Sequence, residues 1–150
     1  MGIGGTGLEV ILASVSSALA AQLIKFGWFV LKSGRLNFRI IVETGGMPSS
    51  HSASMTGMAT SVGLLSGFDS VSFAISVGVA MVVMYDAAGV RRAAGRMASV
   101  LNQVVVDVYQ HHEEKLPERM RELLGHTPVE VLVGGALGVL LAVMLHVGLG

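Results

Sequence analysis

Hydrophobic and polar positions fall along this chain in long blocks, not in strand-like alternation. Residues 8–31 form a 24-residue apolar stretch, interrupted by small residues, Gln22 and Lys25. A helix of that length can span a hydrocarbon core about 30 Å thick. A polar connection follows, KSGRLNFRIIVETGGMPSS, ending in turn residues. Residues 52–67 are only weakly apolar and rich in Ser, Thr, Gly, Ala and Met. Gly63 and Gly67, four apart, suit a helix buried among other helices better than one facing lipid on all sides. GFDS, at 67–70, reads as a short turn, and residues 71–85 form a third apolar run that passes into DAAGVRRAAGR. Over 98–109 the apolar positions Val100, Leu101, Val104, Val105 and Val108 recur at helical spacing. They predict an amphipathic helix at the interface or packed on a bundle. HHEEKLPERMREL is charged and reads as a solvated connection, and residues 129–149 make the last apolar run, with Gly134 and Gly138 as a second small-residue pair. The pattern predicts an all-α protein. It is a single membrane-embedded domain, an integral membrane helical bundle of about four transmembrane helices plus an interfacial or packed amphipathic helix.

Composition supports that reading. Charged residues make up 13% of the chain, about half the share of a soluble domain. Hydrophobic residues reach 52%, the mean hydropathy is +0.69, and the 20 glycines suit closely packed transmembrane helices. A net charge of zero gives no basic surface for a nucleic-acid partner. The absence of cysteine excludes a disulfide framework and a thiolate metal site. No positive charge precedes the first apolar run, so a cleavable signal peptide is not expected. Of the ten Lys and Arg, nine lie in the connections 32–50 and 91–125. The tenth, Lys25, sits in the first span near the same end. The positive-inside rule then puts both connections in the cytoplasm and both termini outside.

On that topology the unusual residues converge. His51 begins the second span from the cytoplasmic side; Asp86, Arg91 and Arg92 end the third; His126 and Glu130 begin the last; Lys25 lies just below the surface in the first. GGMPSSH reads as a helix start, in which Ser can cap and free backbone N–H groups can bind an anion. His126 and Glu130 are four apart, the spacing of one helix face, where a carboxylate can hold an imidazole N–H and sharpen the other nitrogen as a nucleophile. Arg91 and Arg92 offer forked donors matched to phosphate oxygens. Asp86 is positioned to neutralise Lys25 or an Arg. A nucleophilic His, a second His as proton donor and guanidinium clamps describe phosphoryl transfer. Against this stand plain readings: His51 as a capped helix-start residue, Lys25 snorkelling to the interface, and Arg91 and Arg92 flanking a span end. His111, His112 and His146 read as ordinary.

The motifs TGGMPSSHSA, YDAAGVRRAAG with LN shortly after, and ELLGHTPVEV before a glycine-rich span resemble the divergent branch of the type-2 phosphatidic acid phosphatase superfamily, over roughly residues 22–138. The superfamily also includes bacterial acid phosphatases and vanadium haloperoxidases. The resemblance implies that His126 is the nucleophile of a phosphohistidine intermediate, Glu130 its orienting carboxylate, and His51 the acid for the leaving group. It also implies hydrolysis without a metal or other cofactor. Phosphate would be held by Lys25, Ser49, Ser50, Arg91 and Arg92, with Asp86 and Gly125 in support. The sequence departs from the family pattern in several places, among them Ile40 where the first general motif has Pro. Met120 stands where the general motif has Arg, Glu130 replaces Asp, and Met97 stands where the branch has Gln. Lys32 and Arg39 nearly match the first general motif, but Lys25 fits the branch better.

Two functional classes follow. The first is a membrane phosphatase acting on a lipid or lipid-linked phosphate or diphosphate, its site facing the cytoplasm from the cytoplasmic membrane. The second is a catalytically inactive scaffold or lipid-phosphate-binding protein of the same fold. A small transporter ranks below both. The small-residue helix faces permit a homodimer.

Overall fold

The structure, a computed structural model, describes residues 3–36, 46–109 and 126–149, leaving aside the side chains of 90–92 and 107–109. These residues form five helices: α1 (Gly7–Ser33), α2 (Ser50–Ser66), α3 (Val71–Ala88), α4 (Val90–Tyr109) and α5 (Pro128–Leu149). The all-α expectation holds. By length and hydropathy three stretches can cross a membrane: α1, the α3–α4 stretch Val71–Val106, and α5. The fourth expected span, α2, is shorter and more polar, and it is enclosed by the others, packing against α1, α3 and α5. A helix that sees protein on most sides needs no greasy surface of its own.

Small residues let α2 take that central place. Its buried residues are Ser50, Ser52, Ala53, Gly57, Ala59, Ser61 and Gly63. On α1 the buried residues recur every fourth position, at Glu9, Ala13, Ser17, Ala21 and Lys25, one continuous face. A Cβ on Gly57 would come within 2.6 Å of Ser17 Oγ, so glycine is required where α1 and α2 meet. On α5, Gly134 and Gly138 lie against the backbone of α2 at Ser49 and Ala53. Hydroxyl bonds join the helices further: Ser14 and Ser54 hydroxyls pair at 2.9 Å, and Thr56 Oγ1 donates to the Gly135 carbonyl at 2.9 Å. Away from water such bonds have no competing solvent partner.

Helix ends follow local chemistry. Gly34 ends α1 in the left-handed region, φ 64°, with its N–H on the Val30 carbonyl. Ser49 and Ser70 cap α2 and α3 through their side chains.

Helix α4 differs from expectation. It begins at Val90, well before the amphipathic stretch, so positions 90–92 of GVRR belong to its first turn, while Gly89 caps α3. Among the described helices it packs on α3. Gly95 is buried, and Ser99 and Asn102 are half-buried. Met97, Val100, Leu101 and Val104 are exposed. Val105 and Val106 are half-buried and Arg96 and Gln103 exposed. The outward stripe of Met97, Val100, Leu101 and Val104 fits a helix bathed in lipid or lying at its interface, where an apolar side needs no protein partner.

One pairing at the opposite end of the bundle was not foreseen. Glu9, absorbed by hydropathy into the first apolar run, is 1% exposed. Its Oε1 lies 2.7 Å from His146 Nδ1, and its Oε2 accepts from the Gly5 N–H at 2.8 Å. His146 is therefore not an ordinary terminal histidine; it ties the last helix to the first. The His146 side chain is half-exposed but Glu9 is buried, so removing the histidine strands the buried carboxylate. His146→Leu is thus expected to destabilise the protein more than the double variant Glu9→Leu/His146→Leu, measured by thermal unfolding in detergent. A double variant less stable than the single one would show that the pair contributes nothing beyond its separate contacts.

Candidate functional site

The site is built where α2 and α5 begin and α1 and α3 end. Pro128 opens α5, and a residue before proline is pushed out of the helical region. Thr127 therefore becomes the cap, and His126 lies outside the helix, just before it. This corrects the expectation that His126 and Glu130 share a helix face. Their contact arises instead from a capping box. Thr127 Oγ1 accepts from the Glu130 N–H at 3.3 Å, and Glu130 Oε2 accepts from the Thr127 N–H at 3.0 Å. The same Oε2 lies 3.1 Å from His126 Nδ1. One carboxylate thus closes the helix start and orients the imidazole. With Nδ1 protonated and turned to the carboxylate, Nε2 keeps its lone pair.

Backbone bonds fix this unit from two sides. The His126 N–H donates to the Ala87 carbonyl of α3 at 3.1 Å, and the Ser49 N–H donates to the Glu130 carbonyl at 3.1 Å. His126 is 2% exposed. His51, in the first turn of α2, faces it edge-on with ring centroids 6.4 Å apart. Residues 75 positions apart in sequence are thereby placed side by side.

Ser49 is fully buried, and its Oγ accepts from both the N–H and the Oγ of Ser52, at 3.4 and 3.0 Å. It acts as the cap of α2. Ser50 Oγ accepts from Gln22 Nε2 at 3.2 Å, which joins α1 to the start of α2. Lys25, three residues further along the same face of α1, is 7% exposed. A Cβ on Gly46, which has φ +81°, would sit 3.2 Å from Lys25 Cδ, so the lysine stem runs against the loop leading into α2. Lys25 is not snorkelling to solvent. Lys32, of the alternative motif, is exposed, and Arg39 lies outside the described residues.

The remaining candidates divide. Asp86 is half-buried beside Ala87, at the α3 end of the site. The α4 backbone brings positions 91 and 92 to the same end of the bundle, but the side chains of Arg91 and Arg92 lie outside the described residues, as does Gly125. Met97 is exposed on the outer stripe of α4, so that departure from the family pattern faces away from the bundle. Two features were missed from sequence. The T-P-x-E capping box was legible in HTPVE, whereas Gln22 gave no signal beyond being a polar residue within an apolar run.

A small-residue helix enclosed by longer apolar ones, with ionisable side chains gathered at one end, defines an all-α integral membrane protein. The chain belongs to the divergent PAP2 family, which matches residues 7–141. The resemblance carried by the three motifs is thus borne out at family level. An uncharacterized membrane protein of Bacillus subtilis (strain 168), YuiD, is 40% identical over 145 residues, covering 90% of this chain and 92% of that protein. No solved structure matches the chain. The family relationship points toward phosphatase-related chemistry.

Proposed function

We propose that this protein is a membrane phosphatase that hydrolyses a lipid-linked phosphate or diphosphate through a phosphohistidine. The observation that carries the reading is the His126 imidazole held through Nδ1 by Glu130, with the His51 ring 6.4 Å from it. Nε2 of His126 attacks phosphorus while the bond to the leaving oxygen breaks. Protonated His51 gives that oxygen its proton. Water then attacks the phosphohistidine, His51 takes the proton, and phosphate leaves with His126 restored. Lys25, Ser50 and the first N–H groups of α2 balance the phosphoryl charge, joined by Arg91 and Arg92 at the start of α4. Ser49 contributes by fixing that helix start. A buried, ionisable cluster in a membrane protein is costly to keep, which itself argues for a functional role.

The one-sided basic residues support a site facing the cytoplasm, in the cytoplasmic membrane. Lipid substrates would bring the headgroup to this end and leave their apolar chains among the helices.

The test is vanadate-sensitive phosphate release from a panel of lipid phosphates, comparing wild type with His126→Ala and His51→Ala. Both variants are expected to lose activity by a factor on the order of 10³ or more. In sealed right-side-out vesicles the activity should stay latent until they are permeabilised. Absence of release from every substrate, with vanadate binding retained, would replace this reading by the inactive lipid-phosphate-binding protein.

A further inference from the structure

The machinery proposed above uses Lys25 from α1 but leaves Gln22, on the same face, without a role. Gln22 Nε2 donates to Ser50 Oγ at 3.2 Å. Its other amide atom, Oε1, is buried with no hydrogen-bond partner among the described residues. Buried acceptors are rarely left so, and such an exception calls for a physical cause.

Electrostatics supplies one. Gln22 stands one turn before Lys25 on α1, and its amide meets Ser50 in the first turn of α2, the positive end of the helix that Ser49 caps. In that positive field a carbonyl oxygen is stable without a formal bond. An anion reverses the field, and an oxygen pointing at a phosphate oxygen is then repelled. The amide has a ready answer, because its partner is a hydroxyl. Ser50 Oγ can accept from Nε2 or donate to Oε1 with equal ease. A half-turn of the amide therefore keeps the bond to Ser50 and presents the NH₂ where the oxygen had been.

Resting on the phosphoryl-transfer reading, we propose that Gln22 is a phosphate-binding residue of this site. It turns its amide on arrival of the anion, and Ser50 reverses from acceptor to donor. The pair acts as a neutral, adjustable donor beside the fixed charge of Lys25. It requires the phosphate to sit at the α1–α2 side of His126 and not only beneath α4.

The experiment is calorimetric binding of orthovanadate and of inorganic phosphate to the purified full-length protein in detergent, alongside its thermal midpoint. Gln22→Met keeps the length and removes the donor; it is expected to weaken vanadate binding by about 10- to 100-fold, the scale of a hydrogen bond to a charged group. Gln22→Glu offers only acceptors and a negative charge, and should weaken it further. Neither should lower the thermal midpoint, whereas Ser50→Ala, which removes the hydroxyl at the start of α2, is expected to lower it. Wild-type affinity in both variants would overturn the inference. So would equal losses in the two variants accompanied by a fall in midpoint, because Gln22 would then be a brace for Ser50. If the wild type binds neither anion, the phosphoryl-transfer reading itself has failed.

Discussion

Alanine at Gly138 is expected to unseat α5 from α2 and cost about 3 kcal/mol or more, the upper end of what overpacking costs. The added Cβ would run into the Ala53 carbonyl and Thr56 Oγ1. A side chain can swing away, but a carbonyl in mid-helix cannot without breaking its ladder. The whole of α5 must therefore move outward, and at Gly134 the same helix already rests on the Ser49 backbone. The displacement reaches the site, because the Ser49 N–H holds the Glu130 carbonyl. Thermal unfolding in detergent should show the loss, together with weakened anion binding. Gly78→Ala is the control. Nothing lies within 4 Å of a Cβ there, and alanine in a helix interior is favoured over glycine by roughly 0.5–1 kcal/mol. Equal midpoints for the two variants would mean that the α2–α5 contact is not as close as described.

The second large effect is at Glu130, where two substitutions should separate two roles. Glutamine can still accept from the Thr127 N–H and from His126 Nδ1, so Glu130→Gln should keep the capping box and the stability. It removes the negative charge that supports a positively charged imidazole as phosphoryl transfer proceeds. In a serine protease, an amide in place of the comparable carboxylate slows turnover about 10⁴-fold, there by favouring the wrong imidazole tautomer; with the lost charge added to any such effect, a fall of about 10² to 10⁴ is expected here. Glu130→Ala should lose the rate and, in addition, about 1 kcal/mol of stability through the lost cap. Phosphate-release rates and thermal midpoints, measured on the same preparations, read the two effects apart. Full activity in Glu130→Gln would reduce Glu130 to a capping residue.

The capping box shows why part of this site was legible in the sequence. HTPVE carries a local rule, and the rule brought Glu130 to His126 as expected, though through a helix start and not along a helix face. PSSH likewise placed His51 in a first turn and Ser49 at a cap. These are contacts within a few residues, and local backbone chemistry decides them. Gln22 and Glu9 were not legible in the same way. Each is a single polar residue in an apolar run, and its meaning depends on which residue of another helix lies opposite. Ser50 is 28 positions from Gln22, and His146 is 137 from Glu9.

The sequence by itself determined an all-α membrane protein and its family. Hydropathy blocks, helix caps and short motifs act over a turn or two, and they do not depend on the neighbours. It also marked α2 as an inner helix, since a segment of Ser, Gly and Ala cannot face lipid at low cost. Only the tertiary structure decided how close the helices come. Gly57, Gly134 and Gly138 had to meet particular backbone atoms before the registers of α1, α2 and α5 were set. It also turned Gly95 of α4 inward and Val100 and Val104 outward, which spacing alone left open. The physical reason is the same in each case. An amphipathic or small-residue pattern fixes which face is distinct, but the packing of the other helices fixes what that face meets.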